Sequence, residues 1–178
     1  QSGNLVIYPI ADDVDAEGRQ LINWTAQVAQ PGYARNDWNK PGRLEDLLPI
    51  YAGWTFDWLD VPDLLRRSDV IFEYPMVDRE PVDRWTFGRV TLLGDAAHPT
   101  LQYLAQGACM AMEDAVTLGE ALRVHERRFD KAFDHYQRSR VARTARVVLS
   151  AREMGRIFHA QGVERLVRND LWRGRSPE

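Results

Sequence analysis

Residues 89–122 read RVTLLGDAAHPTLQYLAQGACMAMEDAVTLGEAL, and several groups in this run are equipped to hold a polar ligand. The apolar stretch 90–93 predicts a buried strand that ends at Gly94 and Asp95. A carboxylate at the carboxyl end of a strand stands where a ligand hydroxyl can be held. Gly94 has no side chain and lets a ligand approach the backbone closely. After a loop containing Pro99, a helix is predicted to begin at Gly107. The amides of Gly107, Ala108 and Cys109 would then be first-turn donors without helical partners, carrying partial positive charge. No acidic residue follows until Glu113, which leaves that pole open to an anionic group. Taken singly, Asp95 reads equally well as a turn residue and Gly107 as a loop glycine.

As a whole, the run resembles the second flavin motif of the FAD-dependent single-component aromatic hydroxylases, the hydroxybenzoate and salicylate hydroxylase family. The family pattern is Gly-Asp-Ala-Ala-His-Pro, then Gln-Gly at a helix start, then Glu-Asp. Here it is Gly94, Asp95, Ala96, Ala97, His98 and Pro99, then Gln106 and Gly107, then Glu113 and Asp114. The resemblance implies that Asp95 hydrogen-bonds the ribityl chain of FAD. It implies that Gly107, Ala108 and Cys109 face N1 and O2 of the isoalloxazine. It extends over nearly the whole chain, and residues 136–172 are most similar to 3-hydroxybenzoate 6-hydroxylases. That branch resembles this chain in having Gln102 where most of the family has proline. The branch sets the glutamine beside the reacting ring together with a tyrosine, which here is Tyr8. It carries a histidine four residues before that tyrosine, where this chain has Asn4. Residues 74–87 also resemble the phenazine hydroxylases.

The activity implied is hydroxylation of a phenolic aromatic acid, such as 3-hydroxybenzoate, with FAD, NAD(P)H and oxygen, by way of a flavin hydroperoxide. The alternative within flavin chemistry is a phenazine- or nicotinate-type hydroxylase. Tyr8 and Gln102 would be the catalytic residues, hydrogen-bonding the phenol or the transferred oxygen. Gly94, Asp95, Gly107, Ala108 and Cys109 would be the cofactor-binding set. His98, at the strand end, is expected to hydrogen-bond structurally in preference to moving a proton. His125, His135 and His159 lack metal-ligand spacing, and Cys109 is the single cysteine, so no disulfide and no metal are expected. No two of the 12 glycines stand two residues apart, so the GxGxxG phosphate cradle of such enzymes is not in this chain. The chain is expected to carry the ribityl and ring side of the site and, alone, to bind FAD weakly.

The elements that must position these groups follow from periodicity. Residues 4–10 and 20–29 nearly alternate apolar with polar and predict an antiparallel strand pair with one face covered. The acidic connector 11–19 reads as an exposed hairpin loop. Residues 31–42 look irregular. Short helices are predicted at 43–52 and 61–67, the second opening on Val61, Pro62 and Asp63. Further strands are predicted at 69–77 and 89–93. Beyond Gly107 the period becomes helical, with Ala108, Met112, Ala115, Gly119 and Leu122 as the packed stripe. A second helix at 130–159 would bury Phe133, Tyr136, Val147, Ala151, Met154 and Phe158, and Gly162 separates it from a last helix at 163–172. Trp24, Trp54, Trp58 and Trp85 are expected to be packing groups, one or two of them lining an aromatic pocket.

The layout is therefore α+β: a substrate-binding sheet region over 1–88, and a strand-loop-helix flavin unit with C-terminal helices over 89–178. It would be part of an FAD/NAD(P)-binding α/β flavoprotein fold. A strand that starts almost at the first residue suggests that the natural protein continues upstream, with a dinucleotide-binding part as this chain's partner. Short apolar runs and the lack of a leader pattern suggest a cytoplasmic, soluble protein with no membrane or nucleic-acid partner. A homodimer stays open.

Through residue 122 there are 9 Lys/Arg against 19 Asp/Glu, whereas residues 123–175 hold 14 against 6. Such a basic segment is usually a solvated helix surface. The rival reading is a non-catalytic interaction module in which Arg138, Arg140, Arg143 and Arg146 bind an acidic partner.

Overall fold

The computed structural model describes residues 3–28, 38 and 40–174, and mixes short antiparallel sheets with helices, the α+β layout expected. It divides into two compact units, residues 1–75 with 158–178, and residues 76–157.

In the first unit, β1 (Gly3–Ala11) and β2 (Leu21–Val28) pair antiparallel as predicted, Leu5 opposite Ala26 and Tyr8 opposite Asn23. Successive side chains of a strand point to opposite faces. One face therefore gathers Leu5, Trp24, Ala26 and Val28, which pack on the fully buried Tyr51, Val61 and Leu65. The opposite face carries Asn4, Val6 and Tyr8, with Gln27, Thr25 and Asn23 across from them. The connector is exposed and organised by Asp15, whose carboxylate accepts the N–H groups of Glu17 and Arg19 and pairs with the Arg19 side chain.

The helices α1 (Leu44–Tyr51) and α2 (Val61–Arg66) supply the covering layer. Asp60 caps α2 by accepting the Asp63 N–H at 2.9 Å, and Pro62 sits in the first turn, where its missing N–H costs nothing. The Tyr51 hydroxyl ends α1 against both strands, 3.2 Å from the Asn4 carbonyl and 3.3 Å from that of Gln27. Burial pushes its pKa up to about 12.

Between the helices, β4 (Thr55–Phe56) and β5 (Leu59–Asp60) make a small hairpin. Trp58 at its tip is 79% exposed and stacked on Phe56, so it is not the packing group expected. A two-residue turn leaves its ring nothing else to cover.

The strand predicted over 69–77 is only β6 (Phe72–Glu73), paired with β3 (Lys40–Pro41). Pro75 has no N–H to donate to a ladder, and Lys40 and Glu73 close the pair with a 2.8 Å ion pair. Most of the irregular region expected at 31–42 lies outside the described residues. The final helix, α5 (Gly162–Arg173), places Trp172 edge-on to Phe158, and Arg168 donates to the Phe158 carbonyl at 2.8 Å.

In the second unit, β7 (Thr86–Phe87) and β8 (Val90–Thr91) form a hairpin. The strand predicted at 89–93 is thus shorter and not buried: among the described residues it pairs on one side only, and Val90 is 61% exposed. Its return is fixed by α4 (Phe129–Phe158), where Gln137 accepts the N–H groups of Trp85 and Thr86 at 2.6 and 2.9 Å. Tyr136 donates to the Leu92 carbonyl at 3.1 Å.

The core here is Trp85, Ala97, Ala121, Ala132 and Tyr136, flanked by Leu92, Leu118, Leu122 and Val141. The helix α3 (Gly107–Val124) begins where predicted but buries a different stripe, Met110, Asp114 and Ala121. Of the expected stripe, Ala108, Met112, Ala115 and Gly119 are exposed and only Leu122 is half-buried. The helix is rotated because its strongest interior contacts are those of a carboxylate. Among the described residues no helix is long and apolar enough to cross a membrane.

Candidate functional site

Leu93, still extended, gives way to a 3-10 turn over Gly94–Ala96, in which the Ala97 and His98 amides both donate to the Gly94 carbonyl at 2.8 and 2.9 Å. Gly94 has φ +59, a conformation that side-chain-bearing residues rarely adopt, and a Cβ there would lie 3.3 Å from that of Ala111. The turn therefore lies directly on the second turn of α3. Its amide fixes the register: Gly94 N–H donates to Asp114 at 3.0 Å.

Asp114 is fully buried and serves three donors. Besides Gly94, His98 Nε2 stands 2.6 Å from the same carboxylate oxygen, and Arg140 Nε of α4 donates to the other at 2.7 Å. Burial pushes this carboxyl up, but the bonds from Arg140, Gly94 and His98 outweigh it and hold it below the usual range. Arg140 also reaches Glu113 at 2.7 Å and the Met110 carbonyl at 3.3 Å. Arg143 grips Glu113 with two bonds, at 2.9 and 2.7 Å. Arg143 foremost, against burial and with help from Arg140, holds the Glu113 carboxyl at about 2.

Charge buried in this way persists only where it is paired and hydrogen-bonded, and here each partner comes from a different element. The expected structural role of His98 agrees with its place: it is buried, committed to Asp114, and packed on Trp85 at 5.3 Å between ring centroids.

The proposed ligand-facing groups lie on the outer side of this anchor. Asp95 is exposed, and among the described residues its carboxylate accepts no hydrogen bond. The first helical bond of α3 runs from Met110 to the Gln106 carbonyl. Gln106 adds no side-chain cap and the first turn holds no acid. The amides of Gly107, Ala108 and Cys109 precede that first bond, so the helix supplies no acceptor for them. Gly107 is half-buried, and Ala108 and Cys109 are exposed. Gly94 itself is buried against Ala111, and the exposed carboxylate of Asp95 and the uncapped helix pole are the groups that fit the ribityl chain and the electron-rich edge of a flavin ring.

Gln102 is exposed and opens a second 3-10 turn, Gln102–Leu104, closed by Ala105 at φ +52. These six residues all belong to the second unit. Tyr8 belongs to the first, 47% exposed on the open face of β1 and β2, where Asn4 donates to the Gln27 side chain at 3.2 Å. No group of three or more potential metal ligands occurs among the described residues.

Asp114 and Arg140 are the functional residues that the periodicity reading missed. The available signal was spacing: Met110, Asp114, Leu118 and Ala121 recur at steps of four and three, an apolar stripe interrupted by one acid. An acid in such a stripe calls for an interior cation, and arginines at 140 and 143 stand on the helix that follows.

A family model described as FAD binding domain matches residues 62–151. The chain is 71% identical over 120 residues to a 3-hydroxybenzoate 6-hydroxylase of Polaromonas naphthalenivorans (strain CJ2), an alignment covering 67% of this chain and 28% of that protein. It is 76% identical over 101 residues to 3-hydroxybenzoate 6-hydroxylase 2 of Aquipseudomonas alcaligenes, covering 57% of this chain and 32% of that one. Among solved structures, Klebsiella pneumoniae HpxO complexed with FAD and uric acid superposes with a TM-score of 0.66 at 31% identity, over 86% of this chain and 37% of the other. The chain thus spans about a third of the length of these relatives.

Proposed function

The chain belongs to the FAD binding domain family, and we propose that the intact protein carrying it hydroxylates a phenolic aromatic acid, 3-hydroxybenzoate foremost, with NAD(P)H and oxygen. The observation that carries this reading is the turn of Gly94 and Asp95, locked by Asp114 beside the uncapped amino end of α3. The similarity to proteins named 3-hydroxybenzoate 6-hydroxylase supports the choice of substrate.

FAD, when bound, supplies the redox chemistry that activates oxygen for transfer to an electron-rich ring. The residues of this chain hold and polarise it. Asp95 accepts from the ribityl hydroxyls, and Gly94, at φ +59, makes the turn that presents it. The amides of Gly107, Ala108 and Cys109 meet the negative charge that collects on the ring when it is reduced, an arrangement that costs no reorganisation because the donors are already fixed by the helix. Residues 89–178 form the flavin-contacting part, and residues 1–88 the part that walls the substrate.

Tyr8 and Gln102 are assigned to the phenol hydroxyl. A hydrogen bond that draws the phenol proton away raises the electron density of the ring carbon that is to be oxygenated. On the face of β1 and β2 that carries Tyr8, Asn23 opposite it and Thr25 next along the strand offer an amide and a hydroxyl to the rest of an aromatic acid.

Product analysis tests the reading. Incubated with 3-hydroxybenzoate, NADH or NADPH and oxygen, the intact protein is expected to form 2,5-dihydroxybenzoate, one oxygen atom entering the ring and the other leaving as water. Finding no such product, with nucleotide oxidation stimulated instead by a phenazine carboxylate, would move the substrate to the phenazine class. The rival reading as a basic interaction module gains little from the geometry. Of its four arginines, Arg138 pairs with Asp134, Arg140 is buried on Asp114, and Arg143 is held by Glu113.

A further inference from the structure

We propose that Gly155 of α4 is a specificity-determining position, acting through Tyr103 to set where Gln102 stands. This deepens the functional reading above and rests on its assignment of Gln102 to the substrate.

The observation is a close approach. A Cβ built on Gly155 would fall 2.5 Å from Cε2 of the Tyr103 ring, 3.0 Å from Cδ2 and 3.1 Å from Cζ. The Cε2 side of the aromatic ring thus occupies space that the side chain of any other residue would need. Gly155 is buried within the last turn of α4, three residues before the helix ends at Phe158. Its use there is explained by the ring it admits. Burial of Tyr103 also raises its hydroxyl pKa.

Tyr103 is the central residue of the single turn Gln102–Leu104, so its ring and the Gln102 side chain share one short rigid segment. That turn ends on Ala105 at φ +52, a left-handed residue that gives the segment little freedom to adjust by itself. Seating Tyr103 therefore seats Gln102, which is exposed and has no anchor of its own among the described residues. The same stretch of α4 holds a second loop. Arg152, three residues before Gly155 and so on a neighbouring strip of the helix, binds Asp78 at 2.5 Å, Glu80 at 2.7 Å and the Arg79 carbonyl at 3.0 Å. This part of α4 is a platform for loops, and the size of the residue at 155 sets the height of one of them.

Gly155→Ala in the intact holoenzyme tests the idea. It is expected to raise the KM for 3-hydroxybenzoate by about tenfold or more, the scale of a small misplacement of a positioning group, while the FAD dissociation constant and melting temperature stay near wild type. The spectral change of the bound flavin on titration with 3-hydroxybenzoate should weaken in parallel. Tyr103→Leu removes the ring and should reproduce the Gly155→Ala effect, which keeps the proposal testable if the alanine variant fails to fold. Gln102→Ala separates the two ideas. If it leaves substrate binding unchanged, the assignment of Gln102 falls and this proposal with it. If it impairs binding while folded Gly155→Ala and Tyr103→Leu both bind like wild type, only the seating proposal is overturned.

Discussion

Asp114 does what an apolar residue at its position could not: it collects the N–H of a glycine turn, an imidazole and a guanidinium at one carboxylate. With its neighbour Glu113 it joins α3, α4 and the turn that precedes them, so the titration of these two acids is a stability switch for the second unit. Both carboxyls are held below their ordinary values in the folded chain, Glu113 at about 2 against 4.5 and Asp114 below 3.8. Groups lowered in this way stabilise the fold fully above their unfolded pKa and lose that contribution as pH falls through the folded one. The melting temperature is therefore expected to hold steady down to about pH 4.5 and to drop progressively toward pH 2. Glu113→Gln should lower it at pH 7 and flatten the decline. An acid profile identical in wild type and variant would remove Glu113 from this account.

The elements show what local sequence can and cannot dictate. Alternation over β1 and β2 was strong enough to give the pair, its exposed acidic connector and its single covered face. The helices α1 to α5 were legible from periodicity, capping and glycine punctuation. The failures share a cause. Residues 69–77 and 89–93 have the composition of strands, but a strand extends only as far as its partners do, and partners are set by long-range pairing. On α3, apolar and small residues lie nearly all round the helix, so two stripes compete. The structure buries the one containing Asp114, because Arg140 and His98 wait there, and both are far away in sequence.

The hydroxyl of Tyr51 is a similar long-range tie, from the end of α1 to both strands of the hairpin. Tyr51→Phe is expected to destabilise the first unit by about 1–3 kcal/mol, since the one hydroxyl proton shared between the Asn4 and Gln27 carbonyls is lost. Urea unfolding checks this, and a change under half a kilocalorie would show that the hairpin does not depend on the tie.

At the scale of the whole molecule, part of the charge asymmetry between residues 1–122 and 123–175 is used internally. Arg140, Arg143 and Arg152 of α4 each bind an acid from the earlier segment. The flavin motif was legible because it is long and contiguous, whereas its anchor was not, because the anchor is assembled from three elements. The chain also spans only about a third of the length of these relatives and contains no glycine pair of the phosphate-cradle kind. Asp95, on the turn that Asp114 locks, is the group proposed to hold the flavin. The direct test is the FAD dissociation constant of the intact protein, read by flavin fluorescence, for wild type and Asp95→Ala. Asp95 is exposed and accepts no hydrogen bond among the described residues, so the melting temperature of the apoprotein should not change. Loss of a charge-assisted hydrogen bond worth about 1.5–3 kcal/mol should weaken FAD binding by roughly ten- to a hundredfold. An unchanged dissociation constant in a variant that folds normally would contradict the account.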